Sequence, residues 1–136
     1  MIEISTDKSK LQLEVIHHFL TNAYWAKGRT LHDVKKTIEH CLCFGVYHEE
    51  KQIGFARIAT DYTVFAYIMD VFILPGHRGK GYSKQLMKAI NEEPQLKLCK
   101  VWMLKTLDAH GLYKQFGYTE LGHPEKVMER ILNKNT

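Results

Sequence analysis

The segment with the clearest chemical signature lies in the middle of the chain, where an apolar run leads into a loop rich in glycine and basic residues. The run Val71-Phe72-Ile73-Leu74 precedes the loop Pro75-Gly76-His77-Arg78-Gly79-Lys80-Gly81, and a helical pattern begins at Tyr82-Ser83. Backbone N–H groups at the start of a helix have no partners inside the helix and lie at the positive end of its dipole, and glycines let an anion approach closely. The sequence therefore predicts a site for a phosphate-bearing ligand.

Two well-known phosphate loops do not fit this segment. A dinucleotide-binding G-x-G-x-x-G pattern that starts at Gly79 needs Gly or Ala where the chain has Lys84. A Walker loop that starts at Gly76 needs a lysine after Gly81, where the chain has Tyr82. The pattern that remains is Arg78-x-x-Gly81-x-Ser83. A solvated basic turn ahead of a helix is the alternative explanation of the same residues.

That remaining pattern resembles the Q/R-x-x-G-x-G/A pyrophosphate-binding motif of the GNAT superfamily of N-acetyltransferases, with Ser83 where the motif has Gly or Ala. A second stretch, 108–118, is similar to the late GNAT segment in which a helical tyrosine, here Tyr113, precedes a Gly-Tyr or Gly-Phe pair. The two motifs stand in the family's order, and the resemblance covers essentially the whole chain. Residues 24–29 and 109–113 also resemble a branch of small stand-alone GNAT proteins, but this resemblance does not indicate a substrate.

The resemblance implies acetyl-CoA as co-substrate, no metal, and a cleft between two parallel strands, here Val64 to Leu74 and Val101 to Thr106. It also implies that the backbone of Val71 and Ile73 pairs with the pantetheine amides and that a main-chain N–H nearby polarises the thioester carbonyl. The full set of residues that it assigns to the co-substrate is Val71, Phe72, Ile73, Arg78, Gly79, Lys80, Gly81, Tyr82 and Ser83.

Three residues are candidates for the proton transfers. By motif position Tyr113 protonates the departing thiolate, or else it is a helix aromatic packed on the sheet. Asp70 interrupts the apolar run 67–73, and a buried carboxylate is costly unless it is paired or used. It is therefore a base for the acceptor amine, a binding group for that amine, or a structural partner of Arg57 or of a backbone donor. His110 is a weaker base candidate at a helix start, where the dipole disfavours imidazolium.

Tyr24, Trp25 and Arg29 lie in the loop after the first helix, which shapes the acceptor pocket in many GNAT enzymes. They are candidates for that pocket here, or else loop aromatics and a solvated arginine. The acceptor is a small-molecule or peptide amine that the sequence does not identify further. The leading interpretation is thus an N-acetyltransferase, and a non-catalytic acyl-CoA sensor on the same fold is the alternative.

The elements that must position these residues follow from periodicity. Apolar residues at helical spacing predict helices over 11–20 and 31–42, the second capped by Thr30, and a third helix begins at Tyr82 and is closed by Pro94. Asp108 is the predicted N-cap of a short helix that Gly117 ends. The remaining runs predict strands over 2–4, 43–48, 53–60, 64–74, 101–106, 118–121 and 127–132. This order agrees with the mixed α/β GNAT fold that the resemblance implies, with a mostly antiparallel sheet of six or seven strands and about four helices.

Length and composition limit the number of domains and the class of protein. The 136 residues predict a single domain over 1–136, and 45% hydrophobic with 25% charged residues is typical of a globular protein. A net charge of +4 with no recognition-helix or RNP-like signature disfavours nucleic acid binding. The three cysteines form no zinc pattern, and the change from helix end to strand is expected to splay His40, Cys41 and Cys43 apart. No signal peptide or membrane span is indicated, so a cytoplasmic location is expected. A homodimer through the 99–102 region or a strand edge stays open.

Overall fold

The computed structural model describes residues 1–132. Four helices are formed by α1 (Leu13–Asn22), α2 (Leu31–His40), α3 (Tyr82–Asn91) and α4 (His110–Lys114). Five strands are formed by β1 (Glu3–Ser5), β2 (Leu42–His48), β3 (Lys51–Thr60), β4 (Phe65–Ile73) and β5 (Val101–Leu104). No helix in this described part of the chain is long and apolar enough to cross a membrane.

The five strands form one mixed sheet in the order β1-β2-β3-β4-β5, with β4 and β5 parallel and the other neighbours antiparallel. The predicted meander of β2, β3 and β4 and the predicted parallel pair are confirmed. Strands β2 and β3 are buried along almost their whole length because helices cover both faces of the sheet.

Each face of the sheet has its own apolar layer. On one face, α3 buries Leu86, Met87 and Ile90 against the sheet. On the other face, Ile16 and Leu20 of α1 and Val34 and Ile38 of α2 pack against the aromatic residues Phe55 and Phe72. Burial of apolar side chains is the main stabilising contribution, at about 1.5–3 kcal/mol for each large residue. The two layers hold the sheet between the helix pair α1–α2 and α3.

The start of α2 is capped as predicted, and the start of α4 is not. The side chain of Thr30 accepts a hydrogen bond from the backbone N–H of Asp33 at 3.1 Å. Before α4 the N-cap is Ala109 rather than Asp108, and no side chain of residues 1–132 caps the helix there. The hydroxyl of Thr106 instead accepts the N–H of Ala109 at 3.0 Å, which fixes the entry to α4 one residue later than the sequence predicts.

Two predicted strands are wrong. Residues 118–121 and 127–132 form no strand, so the sheet has five strands within the described residues rather than six or seven. The apolar side chains Val127, Met128 and Ile131 are exposed there. An apolar run becomes a strand only when a neighbouring strand accepts its hydrogen bonds, and none of the described strands does so here.

Candidate active site

A cleft opens where the two parallel strands part. Pairing between β4 and β5 runs from Phe65 opposite Val101 to Ile68 opposite Leu104, where β5 ends, while β4 continues to Ile73. The segment after Leu104 turns away, which makes β5 shorter than the predicted 101–106. The space left beside β4 is a cavity of about 1090 Å³. Its walls come from β4, the end of α1 with the loop that follows, and the 104–113 segment.

The backbone of β4 bulges at the cavity floor. Between the pairs Phe55–Phe72 and Arg57–Met69, β3 has one residue and β4 has two, Asp70 and Val71. Asp70 adopts a left-handed φ of 55°, which is uncommon for a residue with a side chain. By strict alternation Asp70 would face the α3 side, as Ile68 does. The bulge turns its carboxylate instead to the side of α1 and α2.

The carboxylate of Asp70 is held by three donors from two different elements. Arg57 on β3 donates from Nε to Oδ2 at 2.8 Å, and Arg29 donates from Nη1 to the same oxygen at 2.6 Å. The indole Nε1–H of Trp25 donates to Oδ1 at 2.9 Å. The Asp70 side chain is only 2% exposed. These contacts tie the loop between α1 and α2 to the centre of the sheet.

Burial lowers the pKa of Arg57, but the negative charge of Asp70 and hydrogen bonds to Cys41 and Asp70 outweigh it, so that the pKa is raised overall. The guanidinium therefore stays charged beneath the cavity. Because Arg29 also pairs with Asp70, two positive charges share one carboxylate. The floor of the cavity thus has one positive charge in excess.

A row of aromatic rings leads from the sheet to the outer wall of the cavity. Phe72 stacks on Phe19 of α1, with ring centroids 4.0 Å apart. Phe19 lies 6.1 Å from Trp25, whose indole in turn meets Tyr24 edge-on at 5.2 Å. Such arrangements stabilise ring pairs beyond their buried area by about 0.5–1.5 kcal/mol. Trp25 is therefore fixed by rings on two sides and by Asp70 at its N–H, whereas Tyr24 is exposed.

The glycine-rich loop closes the other end of the cleft. A short 3-10 turn at Pro75–His77 follows β4, and α3 then begins after Gly81. Gly79 and Gly81 both have φ of 80°, the left-handed region that favours glycine. Apart from the adjacent residues, no atom of residues 1–132 lies within 4 Å of the position a Cβ would take at either glycine, so the loop is open toward the space ahead of α3.

Arg78 folds back from this loop onto the end of β4. Its Nε donates to the carbonyl of Ile73 at 2.8 Å, and the side chain lines the cavity. The N–H of Leu74 donates to Ile53 on β3, and successive residues of a strand face opposite neighbours. The backbone groups of Ile73 and Val71 therefore face the cleft, where no described strand pairs with them.

Tyr113 on α4 forms part of the wall between this cavity and a smaller one of about 510 Å³. Burial, with a smaller effect from the negative charge of Asp108, raises the pKa of the Tyr113 phenol. The ring meets Tyr118 edge-on with centroids 6.0 Å apart. The phenol thus stays protonated at neutral pH and has a fixed ring position.

The cavity brings together most of the residues that the sequence singles out. Its walls include Tyr24, Trp25, Arg29, Asp70, Val71, Phe72, Ile73, Arg78, Ser83 and Tyr113. Gly79, Lys80, Gly81 and Tyr82 lie outside its walls, and His110 lines only the smaller cavity. Sequence reasoning considered Arg57 only as a partner of Asp70, although a charge inside the apolar run 53–60 is the same signal that identified Asp70. It gave Asp108 a capping role and no place in the cavity wall.

The cysteines and histidines offer no metal site in the part of the chain that the structure describes. No group of three His, Cys, Asp or Glu side chains within 1–132 is placed to hold a metal ion. Burial raises the pKa of the Cys43 thiol to about 12, which keeps it protonated, whereas metals bind the thiolate.

Comparison with known proteins gives one family for this architecture. The family model described as "Acetyltransferase (GNAT) domain" matches residues 39–120, which include β2 to β5, the glycine loop and Tyr113. A curated protein of Gibberella zeae, named "Putative acetyltransferase", is 29% identical over 136 aligned residues, covering 84% of this chain and 77% of that protein.

Solved structures agree. A crystal structure from Xanthomonas campestris pv. campestris, described as belonging to the GNAT family, is 44% identical with a TM-score of 0.94, and the match covers 97% of this chain and 94% of that one. A structure from meticillin-resistant Staphylococcus aureus is 20% identical with a TM-score of 0.77, covering 98% of this chain and 100% of that one. The second similarity, at this identity, shows the fold alone.

Proposed function

This chain belongs to the GNAT acetyltransferase family, and from that premise we propose that it transfers the acetyl group of acetyl-CoA to a primary amine. The observation that carries the proposal is a cavity whose walls include Arg78 and Ser83, which flank the glycines of the loop, the end of β4 that no described strand pairs with, and Tyr113. A loop suited to phosphates, a strand edge suited to amides and a proton donor are the three features that such a transfer requires.

The glycine loop fits the pyrophosphate of the co-substrate. Side chains are absent at Gly79 and Gly81, the space around both is open, and the N-terminal amides of α3 follow directly. Arg78 adds a positive charge beside the same space. The backbone groups of Val71 and Ile73, of which, within residues 1–132, only the Ile73 carbonyl has a partner in Arg78, face the cleft and suit the amides of an extended arm that lies beside β4 as a neighbouring strand would.

Acetyl-CoA supplies an activated thioester when it is bound. Val71 belongs to the bulge, where the ladder with β3 is interrupted, and a main-chain N–H in this stretch donates to the thioester carbonyl oxygen. Tyr113 Oη donates its proton to the departing sulfur. A phenol with a pKa of about 10 or above is protonated at neutral pH and can serve a thiolate whose conjugate acid has a pKa of about 8.5.

The contacts of Asp70 support a positioning role over a role as base. Both carboxylate oxygens already accept hydrogen bonds, two from guanidinium groups and one from Trp25. The side chain is only 2% exposed, so these protein donors, rather than an acceptor amine, occupy its oxygens. We therefore assign Asp70 the task of holding Arg29 and Trp25 in the cavity wall, and the acceptor amine loses its proton to water in the open part of the cavity.

The proposal is tested by incubating the protein with acetyl-CoA and a panel of primary amines while the release of free CoA thiol is followed. We expect release that depends on both reactants, together with a product that is heavier than the amine by one acetyl group. Binding of acetyl-CoA without turnover on any amine would contradict the transferase function and favour the sensor alternative.

A further inference from the structure

Arg29 and Arg57, which line the cavity beside Asp70, carry more N–H groups than the oxygens of residues 1–132 accept. A guanidinium carries five N–H groups. Among the oxygens of residues 1–132, Arg57 donates only from Nε to Asp70, whereas its Nη1 and Nη2 face the sulfur atoms of Cys41 at 3.4 Å and Met69 at 3.6 Å. Sulfur is a weak acceptor, and buried charged donors without good acceptors are costly. The Arg57 side chain is nevertheless only 11% exposed.

Arg29 has spare donors as well. Within residues 1–132 its side chain donates from Nη1 to Asp70 and to no other side chain, and it is 19% exposed on the cavity wall. Asp70 balances one of the two guanidinium charges. What remains is a partly buried positive charge with several N–H groups that no oxygen of the described residues accepts.

The excess positive charge of Arg29 and Arg57 lies apart from the glycine loop. Asp70 and its partners lie at the bulge of β4, whereas Arg78 contacts the carbonyl of Ile73 three residues farther along the strand. Three residues of a strand span about 10 Å. A group at the loop and a group at the bulge therefore occupy different parts of the cavity.

We propose that the acceptor amine also carries an anionic group, a carboxylate or a phosphate, which binds Arg29 and Arg57. This inference rests on the transferase function proposed above. An anion with two or more oxygens accepts several N–H groups from planar guanidinium groups at once and neutralises the excess charge. The cavity wall also holds a second acid, Asp108, which forms no ion pair within residues 1–132. Asp108 attracts the ammonium end of such a zwitterionic acceptor toward Tyr113.

Matched acceptor pairs test the inference and distinguish the two anions. One arm compares amino acids with their primary amides, and the other compares phosphoethanolamine with ethanolamine, each at saturating acetyl-CoA. We expect the anionic member of at least one pair to have a kcat/KM about tenfold or more above that of its neutral partner, as befits a charge-assisted hydrogen bond.

Variants in the loop between α1 and α2 show whether Arg29 causes the preference for the anionic acceptor. Arg29→Gln keeps an N–H donor for Asp70 but removes the charge, and it should reduce the preference to less than about threefold, whereas Arg29→Lys should retain part of it. Lys27→Gln is the matched control, because Lys27 is exposed in the same loop, lies outside the cavity wall and carries the same charge. This control should keep the full preference.

A binding measurement separates failure of this inference from failure of the function. The protein is first saturated with CoA, so that the glycine loop is occupied and cannot bind the probes. It is then titrated calorimetrically with N-acetylated amino acids and with inorganic phosphate. Saturable binding of either probe that weakens about tenfold or more in Arg29→Gln supports the inference. Equal kcat/KM within both acceptor pairs, in protein that acetylates the neutral amines, overturns the inference alone. Failure to bind acetyl-CoA at all overturns the transferase function and the inference with it.

Discussion

Arg57 on β3 donates its Nε–H to Oδ2 of Asp70 on β4 at 2.8 Å, across the bulge that the two strands share. The same oxygen accepts from Arg29, so that a single carboxylate holds together the sheet and the loop after α1. This ion cluster is both a structural element of the fold and the floor of the cavity. Removal of the Asp70 carboxylate should therefore lower the stability of the fold first, and any effect on catalysis should follow from that loss.

We expect Asp70→Asn to lower the free energy of unfolding by about 3–5 kcal/mol, because the substitution leaves two guanidinium groups beneath the cavity without a counter-charge. The effect is measured by urea denaturation. The control is Asp108→Asn, which changes an exposed carboxylate of the same cavity and should shift stability by less than about 0.5 kcal/mol. Full stability of Asp70→Asn combined with complete loss of turnover would identify Asp70 as the base and refute a positioning role.

Gly81→Ala tests the loop ahead of α3. At φ of 80° an alanine costs about 1–2 kcal/mol of backbone strain, although no atom of the described chain beyond the adjacent residues lies within 4 Å of its methyl position. The variant should lose stability by that amount and bind acetyl-CoA more weakly, because the loop relaxes away from its anion-binding conformation. Gly76→Ala in the same loop has no left-handed φ, and its methyl group meets no atom of residues 1–132 within 4 Å other than those of its neighbours, so it should change neither quantity by much. Similar behaviour of the two variants would argue against a preformed loop.

Tyr113→Phe removes the proposed proton donor and keeps the ring. The variant should lower kcat by about a hundredfold or more, while calorimetry shows an unchanged affinity for acetyl-CoA. Tyr118→Phe is its control: the hydroxyl of Tyr118 is buried and has no hydrogen-bond partner within residues 1–132, and its ring lies edge-on to Tyr113. Removal of that hydroxyl should leave turnover intact and stability unchanged or higher. A wild-type rate in Tyr113→Phe would rule out the acid role.

The raised pKa of Tyr113 predicts the shape of the pH profile. The protonated phenol is the active form, and its fraction falls only as pH rises through its pKa, which burial and Asp108 hold above the ordinary value of about 10. The rate should therefore rise with pH as the acceptor amine loses its proton and show no alkaline decline below about pH 10. In Asp108→Asn the decline should move to lower pH. A decline near pH 8 in the wild type would assign the acid role to another group.

The regular spacing of apolar residues made most of the helices and strands predictable from the sequence. The left-handed backbone conformations were not predictable in this way. The helices α1, α2 and α3 and the strands β2, β3 and β4 follow the spacing of their apolar residues. The turn between β2 and β3 has left-handed φ at both Glu49 and Glu50, without the glycine or asparagine that usually indicates such a turn. A strand over 53–60 was therefore predicted two residues short of the observed start at Lys51.

The site was predictable in its residues but not in their contacts. The glycine loop and Tyr113 carry local motifs, so their positions could be identified in advance. The bulge at Asp70 rests on a left-handed φ in a non-glycine residue, which no local pattern indicates. Without it the carboxylate would face α3, and neither Arg29 nor Trp25 could reach it. The three-donor cluster and its excess charge could thus be found only in the folded chain.

Calorimetric titration of the purified protein with acetyl-CoA shows directly whether the glycine loop and the open edge of β4 together form a co-substrate site. We expect saturable binding with a dissociation constant between about 1 µM and 1 mM, the usual range for enzyme substrates. Adenosine diphosphate, which contacts the loop but not the strand edge, should bind distinctly more weakly. No saturable binding, or equal binding of both ligands, would contradict the account.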